Sequence, residues 1–422
     1  MSDISFADVV HQSISFSTTD PAEKLVLDLI DSRWFQRLRD ISQTANTRLV
    51  YMFSEHSRFG HCLGVAYLAK LALRKLADRH LRDVELWRPA ILVAALLHDI
   101  GHLAPGSHTA FKTWFPGQPD CHEALAHIVI NEDTQIRSLL DTYSTELRRN
   151  VLGILDESET VPAWTWQLIS GGGWNVDRGN WSAVDSILAG VSYGMYNIPA
   201  LVESILITED KRLALMENRL DAMMHFMVSR HAMYRQVYQH RVLLASDMLN
   251  KAVVQRARDL GGMLEFADDV MKAALSAPNA ATLSLDVMFQ MREAWWRYHL
   301  MRWAQSTDPV LRDLSDRILH RRLFKTIRID EQHKRELSDK SVEECLQKLG
   351  FDPRYYLHEI STADVHAGDT RQSIMVQLDT GEISTLSETD PLFQAMVSVT
   401  KFSKRSWLAL PKEVKVELGR LR

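Results

Sequence analysis

Helical periodicity constrains this chain more than any other feature. Over residues 61–77 (HCLGVAYLAKLALRKLA) apolar side chains recur at i, i+3, i+4 and i+7, the spacing of a helix with one buried face. Residues 86–99 (LWRPAILVAALLHD) repeat that style and run to Gly101, which reads as a helix stop. Further helices are expected at about 122–131, at 136–155, and from about 177 after the Gly171-Gly172-Gly173 break. Long amphipathic runs follow over about 209–260 and 280–305. Residues 100–121 are rich in Gly, Pro, His and Ser and read as an ordered loop. The C-terminal third changes character. Residues 372–386 (QSIMVQLDTGEISTL) read as two strands joined by Asp379-Thr380-Gly381, a hairpin signal. With the preceding LGFDPRYYLHEI they predict a small α+β appendage. The expected fold class is mainly α with a minor β element. No Pro/Gly/Ser linker marks a boundary, so a soft one is placed near 265–310, with the parts packed together.

Composition narrows the function. Of 422 residues, 46% are hydrophobic, and 49 Lys plus Arg face 54 Asp plus Glu for a formal net charge of −5. That excludes global disorder and argues against a tail-driven nucleic-acid binder, while leaving room for a local basic cleft. Cys62, Cys121 and Cys345 form no CxxC pair and no disulfide framework, which suits free thiols in a reducing compartment. The opening MSDISFADVVHQ has neither the basic nor the apolar segment of a signal peptide. The apolar stretch Ala90–Leu97 is far short of the ~20 residues that span a bilayer. A soluble cytoplasmic protein is expected, with no membrane partner and no indicated nucleic-acid partner.

The chemistry concentrates in histidine and aspartate. His98-Asp99 ends an apolar helix, and Gly101 lets the chain turn there. His61 opens the other apolar helix, in RFGHCLGV, and Asp177 follows the glycine run, in NVDRGNW. A His, a His-Asp pair and a distant Asp make a mixed N/O donor set. It suits Mn²⁺, Fe²⁺, Zn²⁺, Ni²⁺ or Co²⁺ better than Ca²⁺.

The order H…HD…D resembles the HD-domain phosphohydrolase superfamily. The longer pattern resembles its deoxynucleoside triphosphate triphosphohydrolases. It comprises Phe35-Gln-Arg-Leu-Arg-Asp-Ile41, Gln43, Arg58-Phe-Gly-His61 and His98-Asp-Ile-Gly-His-Leu-Ala-Pro-Gly-Ser-His108. Asp177-Arg178, Asp185 and Arg230-His-Ala-Met-Tyr234…Tyr238-Gln-His240-Arg241 extend it, as do His320-Arg-Arg-Leu-Phe-Lys325 and the C-terminal hairpin. The resemblance runs from about residue 27 to about 395. It implies an HD-type catalytic helical domain over 1–265. A C-terminal region over 266–422 would serve packing and homo-oligomerisation.

The resemblance also implies roles. His61, His98, Asp99 and Asp177 match the family's ligands to a divalent metal, with Mg²⁺ as an ion that can accompany the nucleotide. His102 and His108 match loop histidines that contact the phosphates, and His122 matches a proton donor to the leaving group. Arg58, Arg178 and Arg230 match triphosphate clamps, whose planar forks suit phosphate oxygens. Gln43, Asp185 and Tyr238 match positions around the sugar. Asp31, Gln36, Arg39, Arg321 and Lys325 resemble a relative's regulatory nucleotide site, although a structural ion-pair network is the favoured reading of them.

Four departures touch the pocket or the proton relay, and the metal ligands are intact. His102 and His108 stand one residue further apart than in the family. The acid that follows the second loop histidine is replaced by Thr109-Ala-Phe-Lys112, so Glu123 or Asp120 would have to partner His122. Asn180-Trp181 replaces Asp-Tyr, with Val184 in place of Arg. Thr44 replaces the Leu after Gln43. The expected activity is cleavage of (deoxy)nucleoside triphosphates to nucleoside and triphosphate, with altered substrate preference. Two alternatives stand beside it. One is a nucleotide phosphomonoesterase, phosphodiesterase or single-strand nuclease, and the other a nucleotide-binding sensor with weak turnover.

Overall fold

The computed structural model describes residues 3–106, 109–118, 120–171, 173–329, 339–362, 374–399 and 405–420. The helix Arg58–Leu97 runs through its centre, with the helices Leu147–Leu155 and Val176–Leu188 packed against it. Its first half buries one face, from Phe59 to Leu76, whereas Ala90 to Leu97 are each no more than 3% exposed. Full burial of a Leu or Ile side chain stabilises by roughly 1.5–3 kcal/mol, so this apolar run firmly anchors the segment that presents His98 and Asp99. Two separate helices are expected here from periodicity. They are continuous across a break at His80, whose φ of −130° and ψ of 42° are not helical. The link ADRHLRDVE holds no Gly or Pro, and His80 Nε2 accepts the Ile207 backbone N–H at 3.2 Å, so the helix bends without ending.

The mainly α class holds, with the strands among the described residues gathered into three small sheets. An N-terminal hairpin, Ile4–Asp8 with Gln12–Phe16, has no counterpart in the sequence reading. Its turn is closed by the Asp8 carboxylate, which accepts the N–H groups of Val10 and His11 at 2.9 and 2.6 Å. The helix expected from about 209 is also corrected. Strands Ile205–Ile207 and Leu213–Met216 pair first, followed by the helix Leu220–Met233, a π-helical turn Tyr234–Tyr238 and the helix Arg241–Leu260. The Thr208 hydroxyl donates to the Arg212 carbonyl and accepts its N–H, both at 3.0 Å, with Lys211 at φ 61°. A turn built by such side-chain bonds leaves no trace in apolar periodicity. The run over 280–305 is likewise two helices, Leu285–Gln290 and Glu293–Trp303.

The C-terminal hairpin forms as expected, Met375–Gln377 with Ile383–Thr385, around Gly381 at φ 90°. Its first strand lies parallel to Leu213–Met216, making one four-stranded sheet with the mid-chain hairpin. LGFDPRYYLHEI goes elsewhere, sending His358–Ser361 to pair with Ser406–Leu410 beside Lys325–Ile329. The two pieces of the expected appendage therefore belong to different sheets.

The stretch 100–121 is a loop with one short helix, Thr109–Trp114; Ser107 and His108 lie outside the described residues. Arg37, 1% exposed, holds the loop from beneath. Its guanidinium donates to the carbonyls of His102 at 2.8 Å, Phe289 at 3.0 Å, Met288 at 2.8 Å and Met291 at 3.1 Å. Hydrogen bonds from a charged donor are worth about 1.5–3 kcal/mol each, enough together to offset desolvation of one guanidinium. Burial pushes the Arg37 pKa down to about 9.

Candidate metal centre and adjoining pocket

Four of the predicted ligands come together. His61, His98 and Asp177 offer ligand atoms all within 4.8 Å of one another. His61 Nε2 lies 3.1 Å and His98 Nε2 3.5 Å from Asp177 Oδ1. Asp99 Oδ2 stands 3.7 Å from His61 Nε2 and 3.6 Å from His98 Nε2. Ligands about 2.1 Å from one ion stand about 3.0–3.4 Å from each other, so small side-chain movements would close the set on a cation. Each imidazole is oriented from behind. His61 Nδ1 bonds Asn180 Oδ1 at 2.9 Å, and His98 Nδ1 bonds the Ala95 carbonyl at 2.9 Å. Both acceptors fix the proton on Nδ1 and leave Nε2 free to ligate. His98 Nε2 is buried and faces the Asp99 and Asp177 carboxylates, as a ligand position requires.

The electrostatics agree with a missing positive charge. Burial disfavours a charged His98, but Asp99 and Asp177 outweigh it and push its pKa up to about 9. Burial would also raise both carboxyls. Arg58 outweighs it at Asp99, and hydrogen bonds from His61 and His98 outweigh it at Asp177, so both stay well below the usual range. A divalent cation would meet the same demand that His98 otherwise meets by binding a proton. Arg58 is buried and donates to Asp99 Oδ2.

His102 and His122 lie beside this centre, stacked with centroids 4.2 Å apart and planes at 19°. His102 Nε2 is 3.2 Å from Asp99 Oδ1. Burial, then Arg58 and His122, hold the His102 pKa well below its ordinary value. His122 is pulled the other way. Burial opposes its charge, but the Asp120 carboxylate, 2.8 Å from Nδ1, raises its pKa. Glu123 stands at 3.9 Å, so of the two acids Asp120 is the one that meets His122. His108 lies outside the described residues.

Two cavities meet here. One, of about 380 Å³, is lined by the four ligands, Arg58, His122 and an acidic wall of Glu123, Asp156 and Glu157. The other, of about 210 Å³, is walled by Trp181, Tyr234 and Tyr238, and Asp185 lines it. Gln43, Arg58 and Trp181 line both and form the junction. Asp185 is held from both sides, His56 Nε2 lying 2.7 Å from Oδ1 and the Tyr238 hydroxyl donating to Oδ2 at 2.5 Å. Arg178 and Arg230 line neither cavity. The Arg178 guanidinium is 3.5 Å from the Gly171 and Gly173 carbonyls, and Arg230 sits over the Tyr234 ring at 5.2 Å. Of the residues resembling a regulatory site, Arg39 bonds Gln36 Oε1 at 2.8 Å and covers Phe59 at 3.6 Å, and Arg321 bonds the Leu49 carbonyl.

Sequence reasoning missed His56, Asn46 and Asp247. His56 stands two residues before Arg58, close enough to a recognised motif to be asked about. Asp247 is one of many polar residues of the amphipathic Arg241–Leu260 helix, so nothing in the sequence marks it.

The fold and the gathered His and Asp side chains accompany a family match: the family model described as "HD domain" matches residues 58–136. Among relatives, the uncharacterized protein YwfO of Bacillus subtilis is 27% identical over 410 residues, 93% of this chain and 88% of that protein. The deoxynucleoside triphosphate triphosphohydrolase SAMHD1 of Gallus gallus is 25% identical over 287 residues, 60% of this chain and 45% of the relative. The chain thus spans less than half the length of that triphosphohydrolase. The crystal structure of a phosphohydrolase from Bacteroides thetaiotaomicron VPI-5482 shares the fold, with a TM-score of 0.80 at 23% identity, over 97% of this chain and 100% of that one. No described helix is long and apolar enough to cross a membrane.

Proposed function

We propose that the protein is a metal-dependent phosphohydrolase cleaving (deoxy)nucleoside triphosphates to nucleoside and triphosphate. The observation that carries this reading is the meeting of a His/Asp donor centre and an aromatic-walled cavity at Gln43, Arg58 and Trp181. Phosphates fit the first space and a nucleoside the second. His61, His98, Asp99 and Asp177 would hold Mn²⁺, Fe²⁺, Zn²⁺, Ni²⁺ or Co²⁺, which supplies Lewis-acid polarisation of a phosphoryl oxygen and acidifies a bound water. Arg58 faces the developing charge from the junction. His122, kept proton-rich by Asp120, delivers a proton to the departing 5′ oxygen. Asp185, braced by His56 and Tyr238, accepts a sugar hydroxyl, and Tyr238 crowds the neighbouring position. The HD-domain match and the similarity to SAMHD1 support a hydrolase of this class.

The acidic wall of Glu123, Asp156 and Glu157 favours a second reading, a phosphoester of lower charge than a bare triphosphate. An accompanying Mg²⁺ would reconcile that wall with the first. One experiment separates them. Purified protein is incubated with Mn²⁺ and each nucleotide, and products are resolved by ion chromatography. Triphosphate release that a chelator abolishes, and that Asp99→Ala lacks, is the expected result. Orthophosphate or shortened oligonucleotides would replace the first reading with the second, and no product from any substrate would remove both.

A further inference from the structure

We propose that Asp247, together with Asn46, reads the nucleobase and favours guanine. This rests on the nucleotide reading above and assigns the specificity of the same pocket.

The aromatic-walled cavity has a polar side that no catalytic role uses. Asn46 Nδ2 donates to Asp247 Oδ1 at 3.3 Å, and both residues line the cavity. Two further acceptors in the same lining are stranded. Gln43 Oε1 and Thr44 Oγ1 are buried without a partner, in residues 9% and 8% exposed. A buried polar atom without a hydrogen bond costs about 1–3 kcal/mol, so a cavity that gathers several such atoms is built to be filled by something polar. Trp181 and Tyr238 meet edge to face in the lining, and aromatic walls of this kind suit a flat filler with polar edges.

The donor count selects among bases. The unmatched atoms are acceptors, apart from the Thr44 hydroxyl, which can also donate. A carboxylate and an amide oxygen call for neighbouring donors on the ligand. Guanine alone presents two adjacent donors, N1–H and the 2-amino group, with O6 and N7 left for a hydroxyl donor. Adenine and cytosine each set an acceptor beside their amino group, and thymine flanks its single N–H with two carbonyls. The carboxyl's own chemistry agrees. Burial, offset only by Asn46, pushes the Asp247 pKa up to about 7, and two donors from a base would supply the stabilisation its charge lacks.

The test reads binding apart from hydrolysis. The four deoxynucleosides, which carry no phosphate, are titrated calorimetrically into wild-type protein and the near-isosteric Asp247→Asn. Triphosphate release from the four nucleotides is measured in parallel. Deoxyguanosine is expected to bind about tenfold or more tighter than the others, and Asp247→Asn to erase that advantage, since one mismatched hydrogen-bond pair discriminates by about ten- to a hundredfold. Should Asp247→Asn not fold, Thr44→Val is expected to narrow the same ratio. Base ranking that is flat in the wild type, or unchanged in the folded variants, overturns the inference even if triphosphate is released. A guanine preference lost in the variant, with no triphosphate from any nucleotide, upholds it and removes the hydrolytic reading instead.

Discussion

His102 and His122 are stacked 4.2 Å apart, yet their surroundings send them in opposite directions. Burial, most of all, lowers the His102 pKa, whereas the Asp120 carboxylate outweighs burial and raises that of His122. Neighbouring groups with diverging pKa values are how a site separates acid from base. Asp120→Asn removes the charge that raises the His122 pKa. If His122 is the acid, the alkaline limb of the kcat/KM profile moves to lower pH. Activity on the alkaline side of the limb then falls by about tenfold per unit moved, while activity well on its acid side changes little. An alkaline limb that stays in place removes His122 from that role. At this scale the meeting of His61, His98, Asp99 and Asp177 was legible because motif and chemistry coincide there. The choice between Asp120 and Glu123 was not, since both flank His122 and only the chain's path decides. His56 was hidden for a related reason: its partner Asp185 lies 129 residues away in sequence.

Among elements, the long apolar helices were plain from their period, and the N-terminal and mid-chain hairpins were not. Their turns are made by Asp8 and Thr208 side chains bonding to backbone, and short strands such as ILI carry no diagnostic alternation. Gly101 was read for the wrong reason. It does follow the helix end, but the need for glycine comes from packing. A Cβ there would lie 2.1 Å from the His122 carbonyl oxygen and 2.5 Å from the Ala126 nitrogen. The helix His122–Glu132 therefore rests directly on the turn that follows the His-Asp pair. Gly101→Ala must push that helix away, and overpacking of this kind costs about 1–3 kcal/mol. Thermal unfolding should show a Tm lower by several degrees, and an unchanged Tm would mean that the helix is free to move.

For the whole molecule, the near-balanced charge conceals strong local asymmetry, with carboxylates and histidines concentrated in one cleft. The proposed assembly through 266–422 has a physical correlate. Tyr298 and Met301, one turn apart on the helix Glu293–Trp303, are 48% and 57% exposed. Sedimentation at micromolar concentration should give a mass that is a multiple of 48.3 kDa, and the double substitution Tyr298→Glu, Met301→Glu should lower it. A wild-type monomer would end that proposal. Arg37 carries a different consequence. Its guanidinium joins the His102 carbonyl to that of Phe289, 252 residues further along the chain from Arg37 itself. On a ribosome, all four candidate metal ligands emerge well before the residues that pin the loop beside them. The nascent chain thus holds the candidate donor set without a finished cleft, and completion of the cleft waits on translation of a segment that contributes no residue to that set.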